Sequence, residues 1–374
     1  MSKLLFPTSV VGSMPRSQFV LDLINDRPPL SPEQYEHEMD ASIRYIVALQ
    51  EHAGLDVLTD GEWRRKSYIG VIAELAHGFE LGNTPDGRPY TVVTEKLSPK
   101  TPGFIAKEVS FAKKITKHKV KATLPSPALL GERMWDAKKS AKAYPKRDDF
   151  VRDCVPILRR ELELIREAGA DIIQIDDPHL CLFVDPQIRK QYDNADAAAD
   201  FSVDMVNAVV ESAGTPPSGG RPSGHPKPLQ PEGCVPKLAV HLCRRAGARV
   251  RGEAQFQGGY DPILSQLNRL KVHHLTMEFT APGAGDMAVF KKLRDDFEIG
   301  LGCVSVEPGK IDSPETIAAR VRQAAQFLAP ERITLNPDCG FAPGSGAKVD
   351  IDEAYQKICN EVAAAKMLRE EFGK

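Results

Sequence analysis

His241-Leu242-Cys243 sets an imidazole and a thiol two residues apart. On an extended strand two such residues point the same way, and one imidazole with one thiolate on a shared face is half of a zinc site. Cys339, in Pro337-Asp338-Cys339, offers a third soft ligand, and Glu278 an oxygen as the fourth, provided the fold brings these segments together. Ligands drawn from separate segments, with one position exchangeable, describe a catalytic zinc site. Structural sites come as local Cys-x-x-Cys pairs, and this sequence has none. Zinc lowers the pKa of a bound thiol and holds it as thiolate at neutral pH. The chemistry implied is attack by a substrate thiolate on an electrophilic carbon.

Other residues suit the far end of such a substrate. Glu62 and Asp176 can clamp an ammonium by charge-assisted hydrogen bonds. Backbone N–H groups at Gly12 and Ser13, where the chain turns off a strand, can hold a carboxylate. Together they would recognise an α-amino acid with a thiol tail. Plainer readings stand beside these. A lone buried cysteine is usually a small hydrophobe, so His-x-Cys alone is weak, and its weight comes from Cys339 and Glu278 also falling at strand ends. Asp176-Asp177-Pro178 also reads as a helix cap, and Gly12 as a turn residue. Cys154, Cys181, Cys303 and Cys359 read as packing, and His179, His273 and His274 as core or surface.

The elements that must position these groups alternate short apolar runs with longer amphipathic ones. Residues 9–13, 56–62, 120–125, 171–176, 237–242, 274–279, 299–306 and 332–337 read as strands. Helical periodicity lies between most of them. Over 150–168, Val151, Cys154, Leu158, Leu162 and Ile165 recur at three- and four-residue steps. Ser313-Pro314 opens another helix in the cap-then-proline order, and 350–372 closes the chain. Eight β-then-α units imply an α/β fold, a single (β/α)8 TIM barrel occupying 1–374, with its site at the C-terminal ends of the strands. Two segments interrupt the pattern. Residues 79–118 read as an inserted hairpin. Residues 214–236, rich in Pro, Gly and Ser, read either as a lid over the site or as an unstructured loop.

Bulk properties exclude other classes. With 49 basic against 51 acidic residues the formal net charge is −2, which is no nucleic-acid footprint. The basic run at 113–121 reads as a solvated hairpin edge. No apolar stretch approaches the roughly 20 residues that cross a bilayer, and the first residues lack the apolar core of a signal peptide. Seven cysteines without close pairing suggest reduced thiols and a cytoplasmic address. The implied partners are a small thiol substrate and a small-molecule alkyl donor; a homo-oligomer is compatible with these numbers.

The motifs PTSVVGSMPRS (7–17), LDVLTDGEWRR (55–65), IIQIDDP (172–178), VHLC (240–243), LTMEF (275–279) and LNPDCGF (335–341) make the chain similar to the catalytic barrel of the cobalamin-independent methionine synthase family. The resemblance implies zinc on His241, Cys243, Glu278 and Cys339, homocysteine on Ser13, Glu62 and Asp176, and methyl transfer to homocysteine sulfur in methionine biosynthesis. Three departures stand out. The long members carry an N-terminal duplicate barrel that helps bind the folate donor, and this sequence has no counterpart. Where they place a histidine that protonates the leaving group, this chain has Glu307, a candidate general acid. The stretch after Cys243, RRAGARVRGEAQFQGGYDP, resembles the short single-barrel relatives, which include epoxyalkane:coenzyme M transferase. Transfer to coenzyme M is therefore an alternative, with Arg64, Arg65, Arg244 and Arg245 available to a sulfonate. A metal-free barrel of the decarboxylase type, or a non-enzymatic binder, is a third.

Overall fold

In the strand Ile172–Asp176 apolar and polar residues alternate, yet Ile173, Gln174, Ile175 and Asp176 are all buried. Burial on both faces marks a parallel sheet covered by helices. The computed structural model describes residues 4–26, 28–83, 89–211, 235–244, 257–281, 283–342 and 349–373. Among the described residues the strands in chain order are β1 (Val57–Leu58), β2 (Ala76–Asn83), β3 (Pro89–Pro99), β4 (Lys119–Pro125), β5 (Ile172–Asp176), β6 (Lys237–Leu242), β7 (His274–Glu278), β8 (Glu298–Val304) and β9 (Ile333–Pro337). Seven of them form a curled parallel sheet in the order β1-β4-β5-β6-β7-β8-β9, while β2 and β3 pair separately as an antiparallel hairpin. Two isolated parallel bridges, Thr8 with Leu335 of β9 and Ser9 with Val57 of β1, link the two edges of the sheet.

One face of the sheet is apolar. Leu124, Ile175, Val240, Met277, Leu301 and Leu335 belong to a core shared with helices Phe104–Ile115, Pro127–Met134, Arg147–Glu167 and Ala195–Val210. Each such side chain contributes about 1.5–3 kcal/mol by leaving water. The inner face is different: Lys121, Gln174, Thr276 and Asn336 are all buried there. Burying a polar group without a partner costs about 1–3 kcal/mol, and barrels are ordinarily filled with branched apolar residues. Stability alone does not account for this interior. A second cluster joins helices Pro32–Ala53 and Ile351–Phe372 to Val10, Met14, Cys243 and Cys339. Local chemistry sets these helices: Ser31 and Gln34 form a capping box ahead of Pro32, and Asp350 caps through the Glu353 N–H at 2.7 Å.

Several expectations need correction. The strand expected over 9–13 is present only as the bridges at Thr8 and Ser9. That expected over 56–62 pairs only through Val57–Leu58, because Gly61 (φ 73°) and Glu62 (φ 59°) turn the chain out of extended geometry. The hairpin at β2–β3 is narrower than 79–118, since Phe104–Ile115 is a helix burying Ile105, Val109 and Ala112. The basic run at 113–121 is no hairpin edge: Lys113 and Lys114 end that helix, and Lys121 is buried in β4. Of the loop at 214–236, residues 214–234 lie outside the described residues. No helix among the described residues is long and apolar enough to cross a membrane.

Candidate metal centre

Parallel register puts Asp176, the last residue of β5, beside His241 on β6. Both are buried, and His241 Nδ1 lies 3.1 Å from Asp176 Oδ1. With that nitrogen committed to a carboxylate, Nε2 points the other way. It is buried and has no hydrogen-bond partner among the described residues. Beside it are Cys243 and Cys339, whose sulfurs are 3.3 Å apart. One ligand atom from each of His241, Cys243 and Cys339 fits within a group no more than 4.8 Å across.

These donors fit a metal. A buried ring nitrogen without a partner normally carries a penalty, which coordination would remove. The carboxylate–histidine contact is the arrangement that fixes the tautomer of a metal-bound imidazole. Two thiolates 2.3 Å from a tetrahedral ion stand about 3.8 Å apart, so only a small spread of the sulfurs is required. Burial opposes charge on His241, but the Asp176 hydrogen bond and the neighbouring Cys243 outweigh it and raise its pKa. The hydrogen bond with Cys243, together with burial, pushes the Cys339 thiol well up.

Glu278 ends β7 and is fully buried, but it stands outside this tight group; its Oε2 accepts the Arg244 N–H at 3.2 Å. Its strand end is pinned by Asp338, whose Oδ1 accepts from the N–H groups of Phe279 and Thr280, each at 3.1 Å. Gly302 makes room for that contact: a Cβ there would lie 2.6 Å from Asp338 Oδ1.

Glu62 lies across from this group. Its Oε1 accepts from Thr123 Oγ1 at 2.6 Å, and Arg65 Nη1 is 3.9 Å away. Burial pushes its carboxyl up; Arg65 pulls it down, Asp176 adds to the rise and Thr123 counters it. Gly12 adjoins this carboxylate: a Cβ there would lie 2.5 Å from Glu62 Oε1. Gly12 gives its carbonyl to Thr59 Oγ1 at 2.7 Å, and Ser13 Oγ accepts the Ala342 N–H at 3.3 Å. Glu307, beyond β8, is not brought into the buried group; its side chain is 39 % exposed and sits 3.7 Å from Lys310 Nζ.

Sequence reasoning missed other members. Burial, then Cys243, Cys339 and Asp176, push the Tyr68 phenol well up. Arg65 is buried and makes three hydrogen bonds to the Glu108 carboxylate, from 2.7 to 3.2 Å. Burial opposes the Arg65 charge, but Glu108 and Glu62 more than offset this and raise its pKa. The adjacent Arg-Arg pair was a visible signal, but nothing in the sequence links 65 to 108. Removing one partner of a buried pair leaves the other uncompensated, at about 3–5 kcal/mol. Glu108→Ala should therefore lose that much in urea denaturation, whereas a loss below about 1 kcal/mol would match an exposed pair. Arg64 is also committed, to Glu36 at 3.3 Å and to Asp40.

Comparison with known proteins adds a family. The family described as "Cobalamin-independent synthase, Catalytic domain" matches residues 6–212 and 257–367. The matched segments contain Glu62, Asp176, Glu278, Glu307 and Cys339, and leave out the stretch with His241 and Cys243. A methionine synthase of Saccharolobus solfataricus is 28% identical over 100% of this chain and 98% of its own length. One of Pyrococcus furiosus is 25% identical over 99% and 95%. Among solved structures, a B12-independent methionine synthase from Shewanella sp. in complex with selenomethionine has a TM-score of 0.72 at 20% identity, covering 98% of each chain. A putative vitamin-B12-independent methionine synthase from Listeria monocytogenes has a TM-score of 0.68 at 20% identity, covering 98% of this chain and 99% of its own. At these identities the two structures speak for the fold.

Proposed function

We infer, because the chain belongs to the cobalamin-independent synthase catalytic-domain family, that it methylates the sulfur of homocysteine to give methionine, using zinc held by His241, Cys243 and Cys339. We take the whole chain as one barrel, with residues 8–9 as its eighth stave. The observation that carries the reading is the buried, partnerless His241 Nε2 beside two thiols 3.3 Å apart, with its other nitrogen on Asp176. Nitrogen and sulfur donors from separate strands are what a catalytic zinc site uses. Glu278 is the fourth, exchangeable ligand in this reading.

Zinc bound here would lower the pKa of the homocysteine thiol so that it reacts as thiolate. The residues of the chain do the rest. Asp176 holds the His241 ring through Oδ1, which also takes the Gln174 amide at 2.8 Å. Its Oδ2 and the Glu62 carboxylate accept the substrate ammonium. The Ser13 N–H, beside Gly12, takes the substrate carboxylate. The homocysteine sulfur attacks the donor's methyl carbon; the S–C bond forms as the methyl–donor bond breaks, and the leaving group keeps the electron pair. Glu307, the candidate general acid, stands outside the buried group and beside Lys310, so in this reading solvent supplies the proton to the leaving group.

The coenzyme M alternative needs a cation for the sulfonate: Arg64 and Arg65 are already paired with Glu36, Asp40 and Glu108, Arg244 is buried with its guanidinium over the Tyr260 ring, and Arg245 lies outside the described residues. Glu62→Gln tests the amino-acid reading. Hydrogen bonds to charged groups are worth about 1.5–3 kcal/mol, so homocysteine should bind the zinc protein about tenfold or more weakly by calorimetry, with zinc content unchanged. Unaltered homocysteine affinity would remove Glu62 from the site.

A further inference from the structure

Glu62 is one of three non-glycine residues with positive φ among the described residues, at 59°. Such a conformation costs on the order of 1–3 kcal/mol and persists only where the surroundings impose it. Here they do. The Glu62 N–H donates to Asp60 Oδ1 at 2.9 Å, and its carbonyl accepts from Arg16 Nη2 at 2.7 Å and from the Arg65 N–H at 3.2 Å. The carboxylate is held as tightly as the backbone. Arg65 Nη1 donates to Thr123 Oγ1 at 2.9 Å and to the Thr123 carbonyl at 3.1 Å. A hydroxyl that receives a guanidinium N–H has its own hydrogen left to give, and Thr123 Oγ1 gives it to Glu62 Oε1 at 2.6 Å. Arg65 cannot turn aside, because Glu108 holds its other edge. The space Glu62 occupies exists because residue 12 has no side chain: a Cβ on Gly12 would lie 2.5 Å from Glu62 Oε1 and 3.0 Å from Thr123 Cγ2.

We propose that Thr123 is a positioning residue. The one-way chain from Arg65 through Thr123 to Glu62, seated in the gap at Gly12, presents the Glu62 carboxylate as an acceptor to the substrate ammonium and so selects thiols that carry an α-amino group. The Thr123 hydroxyl, itself receiving an Arg65 N–H, gives its hydrogen to Glu62 Oε1, so the carboxylate is held as an acceptor, and its negative charge suits a cationic amine. The proposal rests on the reading of Glu62 as the ammonium acceptor.

The test compares two thiols on zinc-loaded protein by calorimetry. Homocysteine carries the amine; γ-mercaptobutyrate has the same thiol and carboxylate without it. Thr123→Val keeps the shape and deletes the hydroxyl. It should weaken homocysteine about tenfold or more, the cost of one hydrogen bond to a charged group, and leave γ-mercaptobutyrate and zinc content unchanged. Thr123→Ser, which keeps the hydroxyl, should restore homocysteine affinity to within a few-fold. If Thr123→Val is insoluble, Thr123→Ala, which also deletes the hydroxyl, carries the same expectation. Equal weakening of both thiols would overturn the proposal, because a structural fault does not sense the amine. If Glu62→Gln discriminates between the thiols and Thr123→Val does not, Thr123 has no positioning role while the function stands. If Glu62→Gln fails to discriminate, the ammonium site itself is misplaced, and this proposal falls with it.

Discussion

Cys339→Ser protein should come off a column almost free of zinc, while the wild type carries close to one ion per chain. Serine replaces a soft thiolate by a hydroxyl that is protonated at neutral pH, and two of the three clustered donors cannot hold the ion as three do. Losing even an outer-shell partner weakens metal binding by about 10- to 100-fold, so losing a ligand should exceed that. Methyl transfer should fall with it, because the substrate thiol would lose the charge that keeps it ionised. The fold should survive, since Cys339 lies at a strand end and its contacts in the second apolar cluster are ones a small side chain can replace. Metal analysis beside a circular dichroism melt separates the outcomes. Full zinc content in Cys339→Ser would mean that the ion sits elsewhere.

The second large effect belongs to Asp176. Its Oδ1 holds His241 Nδ1 at 3.1 Å, which leaves Nε2 for the group that contains the two thiols. Asp176→Ala should let the imidazole rotate and change tautomer, weakening zinc by about 10- to 100-fold in competition with a chelator. In the same variant homocysteine should bind more weakly even at saturating zinc, because half of the ammonium clamp is gone. Glu62→Gln should weaken homocysteine and leave zinc alone. The contrast between the two carboxylates is the useful result: zinc affinity unchanged in Asp176→Ala would reduce this residue to a substrate contact.

The parts of the site that were legible in the sequence depend on strand period and strand ends. His241 and Cys243 share a face because the side-chain period of a strand is two. Cys339, Asp176 and Glu278 were placed because each closes a short apolar run, and parallel register then sets Asp176 beside His241. What was not legible is tertiary. Arg65, Glu108 and Thr123 lie on three separate elements and meet only after the helix Phe104–Ile115 packs against β4. The left-handed backbone at Gly61 and Glu62 ended β1 early, where the residue pattern alone suggested four more residues of strand. The lysines around 113–121 suggested an exposed edge and obscured the apolar face of Ile105, Val109 and Ala112. Gly12 was read as part of a backbone cradle; the strand pattern gave no sign that a side chain there would also enter the space of the Glu62 carboxylate.

The central event is loss of the thiol proton when homocysteine meets the metal that His241, Cys243 and Cys339 would hold. Stopped-flow mixing of zinc-loaded protein with homocysteine in weakly buffered indicator dye at neutral pH reads it directly. The account predicts release of close to one proton per zinc with homocysteine, and none from Cys339→Ser. Binding of homocysteine without proton release, or equal release from the zinc-free variant, would contradict it.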